Sequence, residues 1–161
     1  MALMTATSAG RKVARQRDRL FLAVPAAPEH VRTLRSAAAE YLRRLNWSER
    51  EIGDFILAIG EAGNNAACYG AVGGHGAARG SRLGEATISL ECRLSGDRSV
   101  VMEIRNRGTF SLKQDTESSE FPDWREVHGR GFALMRALVD HVEVCQADGI
   151  TTVRLVKSKA R

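Results

Sequence analysis

The spacing of apolar residues changes along this chain in a set order, and that order restricts the fold more than any other feature. Arg19 to Val24 reads as a strand, ended by Pro25-Ala26-Ala27-Pro28. From Glu29 to Leu45, residues Val31, Leu34, Ala38, Tyr41, Leu42 and Leu45 recur at helical spacing, and Asn46-Trp47 breaks the pattern. Ser48 with Glu51 three residues on is a capping-box signature, which predicts a second helix running to about Tyr69. Two strands follow, Ala86–Leu94 and Ser99–Arg105, joined by Ser95-Gly96-Asp97-Arg98. Gly131 to Val139 is helical, with Phe132, Leu134, Met135 and Leu138 as its apolar residues. Val142–Cys145 and Thr151–Val156 form a hairpin around Asp148-Gly149. Helices and strands are partly segregated, and neighbouring strands are joined by tight turns. The expected fold is therefore α/β: a two-layer sandwich, with a mostly antiparallel mixed sheet and about three helices on one face.

Between these elements lie residues 70–84, with six glycines, and 107–128, which are polar and acidic; both read as loops. Residues 1–17 read as a flexible basic arm, leaving one domain over 18–161. A length of 161 residues suits a single core. With 43% hydrophobic and 27% charged residues, the composition excludes wholesale disorder, collagen and coiled coil. No apolar run approaches the roughly 20 residues that span a bilayer, so no membrane association is expected. No secretory-type apolar core follows Met1, so no export is expected either. Cys68, Cys92 and Cys145 are far apart and form no CxxC; they read as buried, reduced thiols of a cytoplasmic protein.

A net charge of +5 raises the question of nucleic acid. The basic residues, however, gather at the two ends. Arg11, Lys12, Arg15, Arg17 and Arg19 stand near the start and Arg154, Lys157, Lys159 and Arg161 near the finish, which leaves the body net acidic. Clustered like that, they read as solvating loose termini. With only two Trp, two Tyr and five Phe, there is no basic stripe interleaved with aromatics, so direct nucleic-acid binding is not expected.

Three segments carry candidate chemistry. The second helix has an apolar stripe, Ile52, Phe55, Ile56, Ile59 and Ala66, interrupted by Gly60-Glu61-Ala62-Gly63-Asn64-Asn65. Two glycines and two asparagines inside a helix cost about 0.5–1 kcal/mol each relative to alanine. Glu61 and Asn65 are four apart and so share a helix face. The carboxylate can accept a proton, and the amide oxygen suits Mg²⁺. The other reading is a solvated polar face whose glycines permit close helix packing. The second segment, His128-Gly129-Arg130-Gly131-Phe132, places a glycine pair where a helix begins, and helix N-termini bind anions. It is equally an ordinary loop-to-helix joint. The third, Ile104-Arg105-Asn106-Arg107-Gly108, ends a strand with an amide able to meet a base edge; it also reads as a strand running into a turn.

Together, and in this order, these segments resemble the histidine-kinase-like (GHKL) ATPase superfamily, specifically the small anti-sigma-factor serine/threonine kinases. Ala58-Ile59-Gly60-Glu61-Ala62-Gly63-Asn64-Asn65-Ala66 is similar to the family's N box, with Glu61 in the place of the catalytic base and Asn65 in that of the Mg²⁺ ligand. The stretch from Gly129 through Arg130, Gly131 and Phe132 to Asp140 is similar to the glycine box and helix that bind the phosphates. Gly149-Ile150-Thr151-Thr152-Val153-Arg154-Leu155 resembles the last hairpin, whose threonine, here Thr151, faces the nucleotide. The likeness covers roughly residues 20–157.

What the resemblance implies is a Bergerat-type ATP-binding fold and a cytoplasmic kinase. Such a protein uses Mg²⁺ and ATP to phosphorylate an anti-sigma-factor antagonist, sequesters a sigma factor and commonly forms a homodimer. Arg130 would be a candidate clamp for the γ-phosphate, or a rim arginine without a role. The loop 111–128 would be a lid, or a plain connection. The chain departs from the family at several positions. Where members usually have Asp-x-Gly-x-Gly to meet adenine, it has Asn106-Arg107-Gly108-Thr109-Phe110. The second glycine is replaced, Tyr69 stands where a histidine is often found, and Ile150 precedes the threonine pair. These departures keep a second expectation open: a non-catalytic partner-switching module of the same fold with a degenerate pocket.

Overall fold

In the computed structural model, which describes residues 13–16, 19–70, 86–108 and 130–160, the alternating segments pair into one six-stranded sheet. Its strands are β1 (Val13–Gln16), β2 (Arg19–Pro25), β3 (Thr87–Ser95), β4 (Ser99–Arg107), β5 (His141–Ala147) and β6 (Ile150–Ser158), in spatial order β1-β2-β3-β4-β6-β5. Every pairing among them is antiparallel, so the sheet is not mixed. Helices α1 (Pro28–Arg44), α2 (Glu49–Gly70) and α3 (Arg130–Leu138) cover one face, which makes the two-layer α/β sandwich that the periodicities predict.

Period-2 alternation sends Leu20, Leu22 and Val24 of β2, Ile88, Leu90 and Cys92 of β3, and Met102 and Ile104 of β4 toward the helices, joined by Val153 and Leu155 of β6. They meet Val31, Leu34, Ala38 and Leu42 of α1 and Ile52, Phe55 and Ile59 of α2, all buried. Fully burying a Leu or Phe in such a core stabilises by about 1.5–3 kcal/mol.

Local chemistry sets the helix ends. Asn46 adopts φ 57° after α1, and the Trp47 amide donates to the Leu42 carbonyl at 3.2 Å while the Asn46 amide donates to Arg43 at 2.9 Å, a Schellman closure. Trp47 then turns inward onto Phe55, with ring centroids 6.1 Å apart. The capping box forms as expected: the Glu51 amide donates to Ser48 Oγ at 3.3 Å, and the Ser48 amide donates to Glu51 Oε2 at 3.1 Å. Asp148 and Gly149 both take positive φ, 53° and 71°, which suits a two-residue hairpin.

The structure departs from the sequence reading in several places. Part of the segment read as an arm, Val13–Gln16, pairs with β2. The basic C-terminus is not loose: Arg154 and Lys157 lie within β6, and Arg98 donates to the carbonyl of Lys159 at 3.0 Å. Of the three cysteines, only Cys92 is buried, and burial pushes its thiol pKa up; Cys68 and Cys145 are exposed. Of the apolar residues of α3, Met135 is buried whereas Leu134 is 39% exposed, and Val139 is buried just beyond the helix end. On the sheet face away from the helices, Glu103 is buried among Arg93, Arg105 and Arg154, and Arg154 reaches on to Glu143 at 3.2 Å. Among the described residues no helix is long and apolar enough to cross a membrane.

Candidate functional site

A residue in α2 is rotated 100° from the one before it, so the small and polar run at 60–65 faces two neighbours at once. Gly60 and Gly63 face α1. A Cβ on Gly63 would lie 2.9 Å from Val31 Cγ1, and one on Gly60 would lie 3.5 Å from Arg35 Cδ. Close packing on α1 therefore requires glycine at Gly63, whereas a side chain at Gly60 would make only ordinary contact. Glu61 and Asn65 face α3 instead. A Cβ on Gly131 would lie 2.9 Å from Glu61 Oε2 and 3.7 Å from Asn65 Nδ2. The packing reading thus holds for the face toward α1, while Glu61 and Asn65 lie on the face toward α3.

The contact at Gly131 joins residues seventy positions apart in the chain at the first turn of α3. The first amides of a helix lack internal partners, and the aligned peptide dipoles leave a partial positive charge there. Glu61 and Asn65, both half-buried, lie beside this first turn. Arg130, the first residue of α3, is exposed, whereas Phe132 is half-buried and packs on the core.

The opposite ends of these helices are held by the end of β6 and the residues just after it. The Ala160 amide donates to Glu51 Oε1 at 2.6 Å, and Lys157 Nζ donates to the Leu138 carbonyl at 2.6 Å. The start of α2 and the end of α3 therefore lie together beside residues 157–160. From Glu51, Glu61 is about 15 Å along the helix, and from Lys157 back to Thr151 is about 20 Å along the strand. Glu61, Asn65 and the start of α3 consequently share one end of the sandwich with the start of β6 and the end of β4.

At that end Asn106 stands opposite Thr151 in register. Thr151 Oγ1 donates to the Gly108 carbonyl at 2.7 Å, and the Gly108 amide donates to the Gly149 carbonyl at 2.9 Å. Gly108 has φ 131°, a conformation that L side chains rarely adopt. Asn106 Nδ2 donates to the Arg107 carbonyl at 3.2 Å, leaving Oδ1 as the acceptor atom of that amide. Asn106 and Thr151 are 6% and 2% exposed. The structure thus gathers the predicted residues into two clusters at one end: Glu61 and Asn65 with Gly131, and Asn106 and Gly108 with Thr151. The hydroxyl proton of Thr151 goes to the main chain at Gly108, so Thr151 can offer a ligand only its lone pairs, a constraint with no signal in the sequence. Gly129, the expected lid 111–128 and residues 71–84 lie outside the described residues.

The side chains gathered at this end are of a kind that can take part in binding a divalent cation or a phosphate. Glu61 and Asn65 carry oxygens of the hard kind, and the missing side chain at Gly131 lets α3 close directly onto Glu61. Among the described residues no three His, Cys, Asp or Glu are grouped so as to hold a metal ion.

Residues 24–157 match the histidine kinase-like ATPase domain. The serine-protein kinase RsbW of Bacillus pumilus (strain SAFR-032) is 27% identical over 146 residues, covering 87% of this chain and 85% of its own length. The serine-protein kinase RsbW of Listeria innocua serovar 6a (strain ATCC BAA-680 / CLIP 11262) is 27% identical over 147 residues, covering 88% of each chain. Among solved structures, that of the RsbU and RsbW domains of Rv1364c from Mycobacterium tuberculosis superposes with a TM-score of 0.63 at 22% identity. The superposition takes in 89% of this chain and 33% of that longer one, and at this identity it speaks to the fold alone.

Proposed function

The chain belongs to the histidine kinase-like ATPase family, and from that premise we propose that it is a cytoplasmic anti-sigma-factor serine/threonine kinase. It binds Mg·ATP, phosphorylates a serine or threonine of an antagonist protein and sequesters a sigma factor through a separate surface. Its domain, residues 18–161, pairs with a second copy. Two relatives named as serine-protein kinases, similar over most of their lengths, support the reaction class. The observation that carries the reading is the approach of Gly131, in the first turn of α3, to Glu61 and Asn65, the candidate proton acceptor and amide ligand.

The proposed roles are compatible with that geometry. Glu61 orients the acceptor hydroxyl and takes its proton as that oxygen bonds to the transferring phosphorus and the bridging oxygen departs with ADP. Asn65 holds Mg²⁺, which when bound neutralises charge on the phosphate oxygens. The amides near Gly129, Arg130 and Gly131 stabilise the negative charge of the transferred group, since positioning and electrostatics supply most phosphoryl-transfer catalysis. Phe132 anchors that turn to the core. Asn106 Oδ1 accepts from the adenine amino group, held in place by Gly108 and Thr151.

A second reading, a non-catalytic partner-switching module, is favoured by Asn106 in the usual place of aspartate and by Phe110 in that of the second glycine. Titration of the chain with Mg·ATP in a calorimeter separates the two. Saturable heat supports the kinase; no heat at millimolar nucleotide ends it. Glu61→Ala then tests the role of the carboxylate. It is expected to keep Mg·ATP affinity within about threefold while phosphoryl transfer falls by about 10²–10⁴-fold, the usual worth of a general base. Joint loss of binding and folding would instead assign Glu61 a structural role.

A further inference from the structure

Lys157 carries the part of this structure that the residue roles above leave unused. It points inward from β6, its side chain is 14% exposed, and its ammonium lies between two helices. Nζ donates to the Leu138 carbonyl, the last of α3, at 2.6 Å, and faces Asp54 Oδ2 of α2 at 3.5 Å. A cation on the terminal carbonyl of a helix satisfies an orphan acceptor and complements the macrodipole. The helix that it holds needs such an anchor. With nine residues α3 is too short to persist in water unaided, and of its own residues only Met135 is buried, with Val139 just beyond its end.

We infer that Lys157 is a positioning residue for the nucleotide site: by pinning the C-terminal end of α3 to α2 and β6, it holds the opposite end of that helix, with Arg130 and Gly131, over Glu61 and Asn65. This inference rests on the kinase reading above. From Leu138 to Gly131 is about 10 Å along the helix axis, so a small tilt at the pinned end moves the phosphate-facing amides. A misplacement of about 1 Å at a catalytic group can cost 10²-fold in rate.

The test uses the full chain carrying Lys157→Met, which keeps the aliphatic stem and removes the charge, beside Lys157→Arg and Asp54→Asn. Amide hydrogen exchange reads the placement of α3 without any nucleotide. The expected result for Lys157→Met is exchange at least tenfold faster across α3, with α1 unchanged, and a Kd for Mg·ATP raised about tenfold. Lys157→Arg restores most of both, and Asp54→Asn, whose contact is the longer one, has the smaller effect. Unchanged exchange in α3 overturns the inference, and so does acceleration spread evenly over α1, α2 and the sheet, which marks general stability. Faster exchange in α3 at unaltered Mg·ATP affinity overturns it as well, because the pin would then position nothing that the nucleotide meets. If the unsubstituted chain binds no Mg·ATP, the kinase reading fails, and exchange in α3 still decides whether Lys157 fixes the helix.

Discussion

Replacing Gly131 by alanine should separate folding from chemistry in this protein. The added Cβ would lie 2.9 Å from Glu61 Oε2, whereas ordinary contact begins at 3.4 Å, so the carboxylate must retreat by about half an ångström. The atom displaced is the far end of a flexible, half-buried side chain, and α3 has no positive φ at this position that alanine would strain. Alanine is also favoured over glycine by up to ~1 kcal/mol inside a helix, with less to gain in the first turn. Stability should therefore stay within about 0.5 kcal/mol of the parent or rise slightly. Phosphoryl transfer should fall about 10–100-fold, because the displaced group is the one proposed to receive the proton. Gly63→Ala is the matched control. The same 2.9 Å approach is there made to Cγ1 of Val31, a stiff side chain that is 4% exposed between two helices. Overpacking of that kind costs about 1–3 kcal/mol. Urea melts and single-turnover phosphorylation of an acceptor protein measure the two quantities. Unaltered transfer in Gly131→Ala would refute the placement of Glu61 at the reacting hydroxyl. A cost above about 2 kcal/mol in that variant would show that Glu61 cannot yield, contrary to the geometry.

Two further outcomes are expected. Asn106→Asp should tighten Mg·ATP binding about three- to tenfold in calorimetry, since a charged acceptor strengthens the bond to an amino group. It should also lower stability by about 1 kcal/mol, because the buried side chain loses the donor that meets the Arg107 carbonyl. Glu51 gives the fold an acid-sensitive element: the Ser48 hydroxyl, then the Ala160 amide, hold its carboxyl below the ordinary 4.5. A carboxyl lowered by folding contributes stability that is fully present above pH 4.5 and fades as the pH falls toward the folded-state value. Glu51→Gln should remove that part of the acid dependence in denaturant melts taken from pH 6 to 3, and an unchanged pH profile would count against it.

Much of the fold was legible because it rests on local rules. The stripe of α1 and the Ser48–Glu51 box depend only on residues within a turn or two of each other. The positive-φ pair Asp148-Gly149 depends on the intrinsic freedom of those two residues, and all three appear where they were expected. β1 was missed because it is an edge strand whose partner, β2, supplies the pairing that its own sequence does not advertise. Which apolar residues of α3 are buried was not legible, because α3 packs by a narrow contact at Met135 and Val139, and periodicity alone cannot tell which flank of a short helix meets the sheet. The candidate site divides in the same way. The face shared by Glu61 and Asn65 follows from their spacing, but which residues lie opposite them does not.

Taken alone, the sequence determined the kinds of element and their order, because helical and strand periods are set by a few neighbouring residues. It also determined the residue types available for chemistry. Only tertiary structure decided that Gly63 packs against Val31 while Gly131 packs against Glu61, that the Thr151 hydroxyl is committed to the Gly108 carbonyl, and that Lys157 anchors a helix rather than solvating an end. Each of these depends on groups far apart in the chain, whose approach is fixed when helices and sheet close on a common core and bring their ends into register.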